Sequence, residues 1–281
     1  MFSIFRRRPK TAAIEQPPVE MQNLPSVVFS GFEHKAASDQ NGIDLVSGWQ
    51  SRLPIPGITS GPHDLYNDGR ITWLIEQIGS IEGMNILELG PLDGGHTYRL
   101  DKHGAGTVLA IEANKQSFLR CVIAKNILGM PAAKFMLGDF RQWLSTAPGQ
   151  YDLIVASGVL YHMQNPIELL ELMAAKTNRI YLWTHHFCDD EMPPGDIRRG
   201  AFIGEPITSE WRGQNIRLWK RQYHMPFMTT EFCGGMENDH IWMDRDDIVL
   251  VLRTLGFTTV HIGHPNPDGQ NGPSRSFLAL R

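Results

Sequence analysis

The chain is poor in cysteine, has no excess of one charge and lacks any long apolar run. Its three cysteines, Cys121, Cys188 and Cys233, are odd in number and form no CxxC. That speaks against a disulfide framework or a standard zinc site, and free thiols in a reducing compartment are expected. Lys plus Arg total 26 against 30 Asp plus Glu, a net charge of −4. The strong basic excess of a non-specific DNA coat is therefore missing, although a local basic patch is not excluded. No stretch reaches the ~18 consecutive apolar residues of a membrane span. At the amino terminus two phenylalanines precede the charges and no apolar h-region follows, so a cleaved secretory signal is not expected and a cytoplasmic setting is. Phe2, Ile4 and Phe5 beside Arg6, Arg7 and Arg8 could touch anionic lipid, but a frayed basic tail is the simpler reading. Disorder is also disfavoured, because 42% of the residues are hydrophobic and the net charge is small. A chain of 281 residues suffices for one large domain or two small ones.

What is present is an alternation. Residues 1–45 carry Pro9, Pro17, Pro18 and Pro25 and hold no apolar period, so a tail or a wrap is expected there. Residues 46–83 supply a Pro- and Gly-rich loop and then a helical face of Leu65, Ile71, Leu74, Ile75 and Ile78. From Asn85 onward, strands are expected at 85–89, 107–111, 133–137, 151–156 and 179–184. Helices are expected between them at 96–103, 115–128, 141–144 and 167–175. Such a pattern is that of a parallel sheet covered on both faces. It stops at His185. After a stretch of little period, Asp244 reads as the N-cap of a helix ended by Gly256. Strands at 257–262 and 276–280, joined through Asn-Pro, Asp-Gly and Asn-Gly turn chemistry, suit an antiparallel hairpin.

Four segments carry chemistry in order. The first is Ile86-Leu87-Glu88-Leu89-Gly90-Pro91-Leu92-Asp93-Gly94-Gly95-His96-Thr97, a strand that ends in a glycine turn and opens a helix. Glycine there lets a ligand approach the backbone, and ligands of open α/β sheets sit at the carboxyl ends of strands. The second is Val108 to Glu112, with an acid at the strand end 22 residues after Gly90, placed to accept from ribose hydroxyls. The third, Leu137-Gly138-Asp139-Phe140, could accept from an adenine amino group and support its ring. The fourth runs from Tyr151 through Ser157-Gly158-Val159-Leu160-Tyr161-His162 to Asn165-Pro166. Taken singly, each has a plain structural alternative: Glu88 a buried strand-end acid, Asp139 a helix N-cap. A dinucleotide dehydrogenase would want G-x-G-x-x-G, which the first loop lacks.

Together these motifs resemble the class I S-adenosylmethionine-dependent methyltransferases, over residues 84–186 motif by motif and more loosely over 244–281. The Gly-Val-Leu-Tyr-His-x-x-x-Pro run is most similar to the methyltransferase-like domain of the tRNA wobble-uridine carboxymethyltransferase group and its small-molecule relatives. One departure stands out: Leu92 occupies the position of the family's middle glycine. The resemblance implies an α/β, Rossmann-like, doubly wound seven-stranded sheet, mostly parallel with one antiparallel strand. It implies S-adenosyl-L-methionine as cofactor. Glu88 would lie near the methionine amine, Gly90 and Gly94 in the cofactor loop, Glu112 at the ribose, Asp139 and Phe140 at the adenine, and Ser157 at the reactive end. No carboxylate-binding arginine for a carboxylated cofactor is evident, Arg198, Arg199 and Arg212 being candidates by type alone, so plain methyl transfer is preferred.

His162, after the fourth strand, is the first candidate for a general base toward a hydroxyl acceptor, and His185, after the fifth, the next. A structural role for His162 is the alternative, and Tyr161 is expected as a pocket wall. The run from His185 to Glu191 invites a metal reading, but adjacent residues of an extended chain point to opposite faces, and no metal is assigned. Residues 187–243 are expected as a substrate-binding insertion, with Tyr161, Arg212, Trp219 and Tyr223 as candidate acceptor contacts. Residues 196–224 hold six basic and three acidic residues among aromatics. These suit a small core with a solvated rim, a small anionic or sugar-like acceptor, or RNA. The expected activity is methyl transfer to a small-molecule or saccharide-type hydroxyl. A tRNA-uridine modifying enzyme and a non-catalytic cofactor-binding module remain as alternatives, with nucleic acid not the favoured partner and the oligomeric state open.

Overall fold

The computed structural model describes residues 31–222, 236–237 and 239–281. Tyr223 and Cys233 lie outside the described residues. Contacts divide the chain into residues 1–36 and 37–281. Of the first unit only 31–36 are described, and these carry no helix or strand. Every described helix and strand belongs to the second unit.

The main sheet of that unit contains seven strands: β1 (Asn85–Leu89), β2 (Thr107–Glu112), β3 (Ala133–Leu137), β4 (Leu153–Ser157), β5 (Arg179–His185), β9 (Thr259–Asn266) and β10 (Ser274–Leu280). Their spatial order is β3-β2-β1-β4-β5-β10-β9, and only β10 runs against its neighbours. This is the expected mostly parallel, doubly wound sheet. The order reverses between β1 and β4, which leaves a crevice at their carboxyl ends where open α/β sheets take ligands.

Alternation within each strand assigns the two faces. Leu87, Leu89, Ile154, Ala156, Ile180 and Leu182 pack under α5 (Phe140–Thr146), α6 (Pro166–Ala174) and α7 (Arg245–Thr254). Ile86, Val108, Leu153, Val155 and Tyr181 pack under α2 (Gly69–Ile78) and α3 (Gly95–Lys102). The second face carries Glu88, which therefore points toward α3. Helix α4 (Lys115–Leu128) joins a third cluster with Ile43, Trp49, Leu53 and Tyr66.

Two expectations need correction. The span 1–45 is not irregular throughout, because Asp39–Asp44 forms α1. Ser38 caps it by accepting from the Asn41 amide, and Ile43 is buried against the third cluster. All four prolines that discouraged a helix precede residue 26, so the helix fits behind them. The stretch after His185 is also more regular than its composition suggests. β6 (Ile207–Trp211), β7 (Gln214–Gln222) and β8 (Asp239–Met243) form a separate antiparallel sheet in the order β6-β7-β8. The β6–β7 turn places Arg212 and Gly213 at φ of 50° and 75°. Both central residues are left-handed, which matches the strand twist in two-residue hairpins.

Candidate active site

The first loop is built around backbone that few side chains tolerate. Gly90 follows β1 at φ 66°, and a Cβ there would lie 2.8 Å from Val159 Cγ1. Gly94 is left-handed at φ 79° and packs against Phe135, with a Cβ position 3.3 Å away. Leu92 is also left-handed, at φ 59°. Leu92 thus holds a left-handed conformation that glycine adopts freely, at a cost of about 1–2 kcal/mol. Two contacts hold it there: its amide donates to Glu112 Oε2 at 3.1 Å, and its carbonyl accepts from Cys121 Sγ at 3.2 Å.

Glu112 ends β2 almost wholly buried, and its other oxygen accepts from the Asn114 amide at 2.8 Å. Burial raises its carboxyl above the usual range, against the pull of those backbone donors. Glu88 is buried on β1, and its Oε2 accepts from Thr97 Oγ1 on α3 at 2.5 Å. Burial pushes its carboxyl up to about 7, opposed by the Thr97 hydrogen bond and aided by the Glu112 charge. Ser157 ends β4 beside the crevice with its Oγ buried and without a hydrogen-bond partner. Gly90, Glu112 and Ser157, whose hydroxyl has no partner among the described residues, thus stand at the carboxyl ends of β1, β2 and β4, the strands around the switch point, with Glu88 buried on β1 behind them. A ligand with a cation, a diol and hydrogen-bond donors would satisfy them.

Asp139 and Phe140 stand at the rim, otherwise engaged. Asp139 caps α5 by accepting from the Arg141 amide at 2.8 Å and pairs with the Arg141 side chain, also at 2.8 Å. That pairing holds its carboxyl low despite partial burial. Phe140 is 6% exposed and packs in the main core with Leu89 and Ile111.

Sequence reasoning did not single out the group that fastens the preceding segment to this loop. Asp93 is fully buried, and its Oδ2 accepts from the amides of Gln50 and Ser51 at 2.6 and 2.8 Å. Arg120 Nε donates to Oδ1 at 2.7 Å, and Tyr66 donates to the Asp93 carbonyl at 2.6 Å. The available signal was an acid inside a glycine turn, where a carboxylate serves backbone donors from a distant segment. A second such group is Asp68, which caps α2 and pairs with Arg70 at 2.5 Å and His96 at 2.8 Å. Those partners hold its carboxyl far below the usual range.

Across the crevice, the ends of β4, β5 and β8 bring aromatic rings together. Tyr161 lies 4.1 Å from His162, 4.8 Å from His185 and 6.1 Å from both Trp183 and Trp242, between ring centroids. His185 stacks on Trp242 at 5.1 Å and 11°. The Arg70 guanidinium covers Trp183 at 4.2 Å. The two candidate bases differ. His162 is buried, with its ring 5.3 Å from His240, and burial depresses its pKa well below the ordinary value. His185 keeps more exposure, and its Nδ1 lies 3.1 Å from both the Gly272 and Pro273 carbonyls. Carbonyls only accept, so Nδ1 carries the proton and Nε2 holds a lone pair. Burial lowers the His185 pKa to about 4, and the neutral ring is the form present at physiological pH.

The structure does not bring Arg212 or Trp219 into this box. Trp219 is 9% exposed, stacks on Phe187 at 3.6 Å and donates its indole N–H to Asp244 at 2.8 Å. It belongs to a small core with Phe187, Met192 and Trp242. Asp244 sits at the N-cap of α7 but makes no side-chain cap bond, because Trp219 and Arg217 take its oxygens. Arg212 lies on the β6–β7 turn, over Trp211, and pairs with Glu171 of α6 at 2.8 Å. Arg198 pairs with Asp196 and Arg199 with Asp189, both at 2.6 Å. Among the described residues no group of three or more His, Cys, Asp or Glu is arranged to hold a metal ion, and no helix is long and apolar enough to cross a membrane.

Comparison with known proteins agrees with this geometry. A family model described as a methyltransferase domain matches residues 66–262. The N-terminal domain of EvdMO1, crystallised with SAH and D-fucose, superposes with a TM-score of 0.64 at 22% identity, covering 86% of this chain and 94% of that one. The 1,6-didemethyltoxoflavin-N1-methyltransferase of Burkholderia thailandensis, with SAH bound, gives 0.51 at 13% identity and 78% coverage of each. Curated relatives include the tRNA U34 carboxymethyltransferases of Pseudomonas fluorescens, 26% identical over 132 residues, and Alcanivorax borkumensis, 31% identical over 99. Those matches cover 43% and 35% of this chain and only 41% and 30% of the relatives' own lengths. With the family model spanning most of the chain, the protein belongs to the methyltransferase domain family.

Proposed function

We propose that the chain methylates a hydroxyl of a small-molecule or saccharide-type acceptor, held in the aromatic box and deprotonated by His185. The observation that carries this reading is the pair of carbonyls fixing the His185 tautomer, which leaves Nε2 as a proton acceptor beside Tyr161 and Trp242. S-adenosylmethionine supplies an electrophilic methyl on a sulfonium. Glu88 would hold its ammonium, Glu112 its ribose hydroxyls, and Gly90 the close backbone approach. Ser157 would meet the reactive end, with Asp139 and Phe140 at the adenine side.

The protein's own part is positioning and proton removal. Half-buried Tyr161 and Trp183 would provide aromatic surface against which a sugar or small ring packs, with buried Trp242 holding His185 in place from behind. Orientation at near-attack distance can supply ~7–11 kcal/mol. The base adds roughly 10²–10⁴-fold, toward the lower end here because a pKa of about 4 makes His185 a weak acceptor. It takes the proton as the oxygen's electron pair is committed to the new bond.

The D-fucose in the EvdMO1 structure supports a saccharide-type acceptor by analogy of fold alone. The tRNA reading draws on the curated relatives. Against it, the cations of the insertion are largely paired: Arg198 with Asp196, Arg199 with Asp189, Arg212 with Glu171, Arg217 with Asp244 and Lys220 with Asp239. Paired cations contribute little to phosphate neutralisation. A reducing, cytoplasmic setting belongs to the same proposal, supported by buried free thiols at Cys121 and Cys188. The test is methyl-labelled S-adenosylmethionine incubated with the full chain in fractionated cell extract. Label in small molecules or glycans is expected, and label in a nuclease-sensitive fraction overturns the acceptor assignment.

A further inference from the structure

The turn between β9 and β10 makes contacts that a simple hairpin connection does not need. Gly272 and Pro273 present the two carbonyls that fix His185. The Gly272 amide closes the turn onto the Gly269 carbonyl at 2.9 Å. Gly272 itself stands at φ 128°, and a Cβ on it would lie 2.7 Å from Trp242, the ring that stacks on His185. A Cβ on Gly269 would meet the Gly272 carbonyl at 2.6 Å. Both glycines are therefore needed to set where that carbonyl points.

The turn is anchored from outside. Arg198, on the 3₁₀ turn at 197–201, donates through Nη1 to the Pro267 carbonyl at 2.6 Å and the Gly269 carbonyl at 3.3 Å. Its Nη2 donates to the Glu191 carbonyl at 2.6 Å, and Asp196 accepts from Nε and Nη2. Arg221 of β7 donates to the Asn271 carbonyl at 3.3 Å. Five donors in a rigid fork suit Arg198 to join three separate segments at once.

We propose that Arg198 is a positioning residue for methyl transfer: it fixes the 267–273 turn, whose carbonyls hold His185 in the tautomer that leaves Nε2 basic. The inference rests on the reading of His185 as the base. Sequence alone offered Arg198 only as a carboxylate-binding group by type. Its hydrogen bonds here are spent on Asp196 and three backbone carbonyls, so it acts through the turn and touches no acceptor.

The test uses the full chain with ¹⁵N-labelled histidine, His185 being identified by the signal lost in His185→Gln. Long-range ¹H–¹⁵N correlation reports which ring nitrogen carries the proton. The wild type is expected to show a single Nδ1–H tautomer. Arg198→Gln should lose that single form in favour of a mixture, and Arg198→Lys, which keeps a cation within reach of a carbonyl, should largely restore it. Gly269→Ala moves the Gly272 carbonyl directly and should give the same loss should Arg198→Gln fail to fold. An unchanged His185 tautomer in folded Arg198→Gln or Gly269→Ala overturns the positioning role while leaving the base assignment standing. Full methyl incorporation by His185→Gln in the extract assay overturns the base assignment, and the positioning role with it, whatever the spectra show.

Discussion

At the residue scale, the buried Glu88 carboxyl responds to pH, and with it the cofactor site proposed around it. The carboxyl is raised to about 7 from 4.5. Between those values the folded chain holds a proton that the unfolded chain has released. Glu88's own contribution to stability is therefore full below pH 4.5 and is lost as pH rises across that window, by roughly 3 kcal/mol in all. His185, its pKa lowered by burial to about 4, contributes in the opposite sense over much of the same range. Denaturant melts of wild type and Glu88→Gln at pH 5 and pH 8 isolate the Glu88 contribution: the change in stability between the two pH values should differ between the chains by roughly 3 kcal/mol, and equal changes remove Glu88 as a source. A bound ammonium favours the ionised form, so cofactor affinity should rise from pH 5 to pH 8 in the wild type and stay level in Glu88→Gln. Gly90 is the other sensitive position. Gly90→Ala forces a Cβ against Val159 at φ 66°. A loss of about 1–2 kcal/mol of stability is expected in thermal melts, with weakened cofactor binding; an unperturbed variant would show that the loop has room to give.

At the scale of elements, buried Asp93 ties the segment before α2 to the loop after β1 through the Gln50 and Ser51 amides, and pairs that loop with Arg120 of α4. Asp93→Ala strands a guanidinium that is 7% exposed and two backbone amides, and should cost about 3–5 kcal/mol in urea denaturation. Arg212→Ala breaks a half-exposed pair on the β6–β7 turn and should cost no more than about 1 kcal/mol. A comparable cost for both would contradict the distinction drawn between them. These elements also show where sequence sufficed. Strands 85–89 and 133–137 and the helix 115–128 were legible because short apolar runs alternate with a helical stretch, and strand 85–89 is accordingly buried from its second residue on. The β6–β8 sheet was not legible, because one of its faces meets only a small aromatic core. Its Arg-Gly turn was the overlooked signal. α1 was hidden by proline content that belongs to residues before it.

At the scale of the molecule, the site divides along the topological switch. The proposed cofactor side rests on glycines and strand-end acids, which sit at fixed places in chain order and so can be read from motifs. The aromatic box proposed for the acceptor is less accessible to such reading. Tyr161, His162 and His185 follow strands β4 and β5, whereas Trp183, Trp242 and the 267–273 turn reach the box from distant segments that spacing cannot link. Trp219, expected on the acceptor, packs in the small core with Phe187, Met192 and Trp242. Trp219→Ala should accordingly cost about 3–5 kcal/mol of stability, read in the same urea series, rather than acceptor affinity alone.

The central claim is that the cofactor lies at the carboxyl ends of β1 and β2, against Gly90 and Glu112. Calorimetric titration of S-adenosylhomocysteine into the full chain and into Glu112→Ala tests it most directly. Saturable one-site binding to the wild type is predicted, weakened in the variant by ~1.5–3 kcal/mol, the worth of hydrogen bonds to a charged group. Equal affinity in a folded Glu112→Ala chain would contradict that placement.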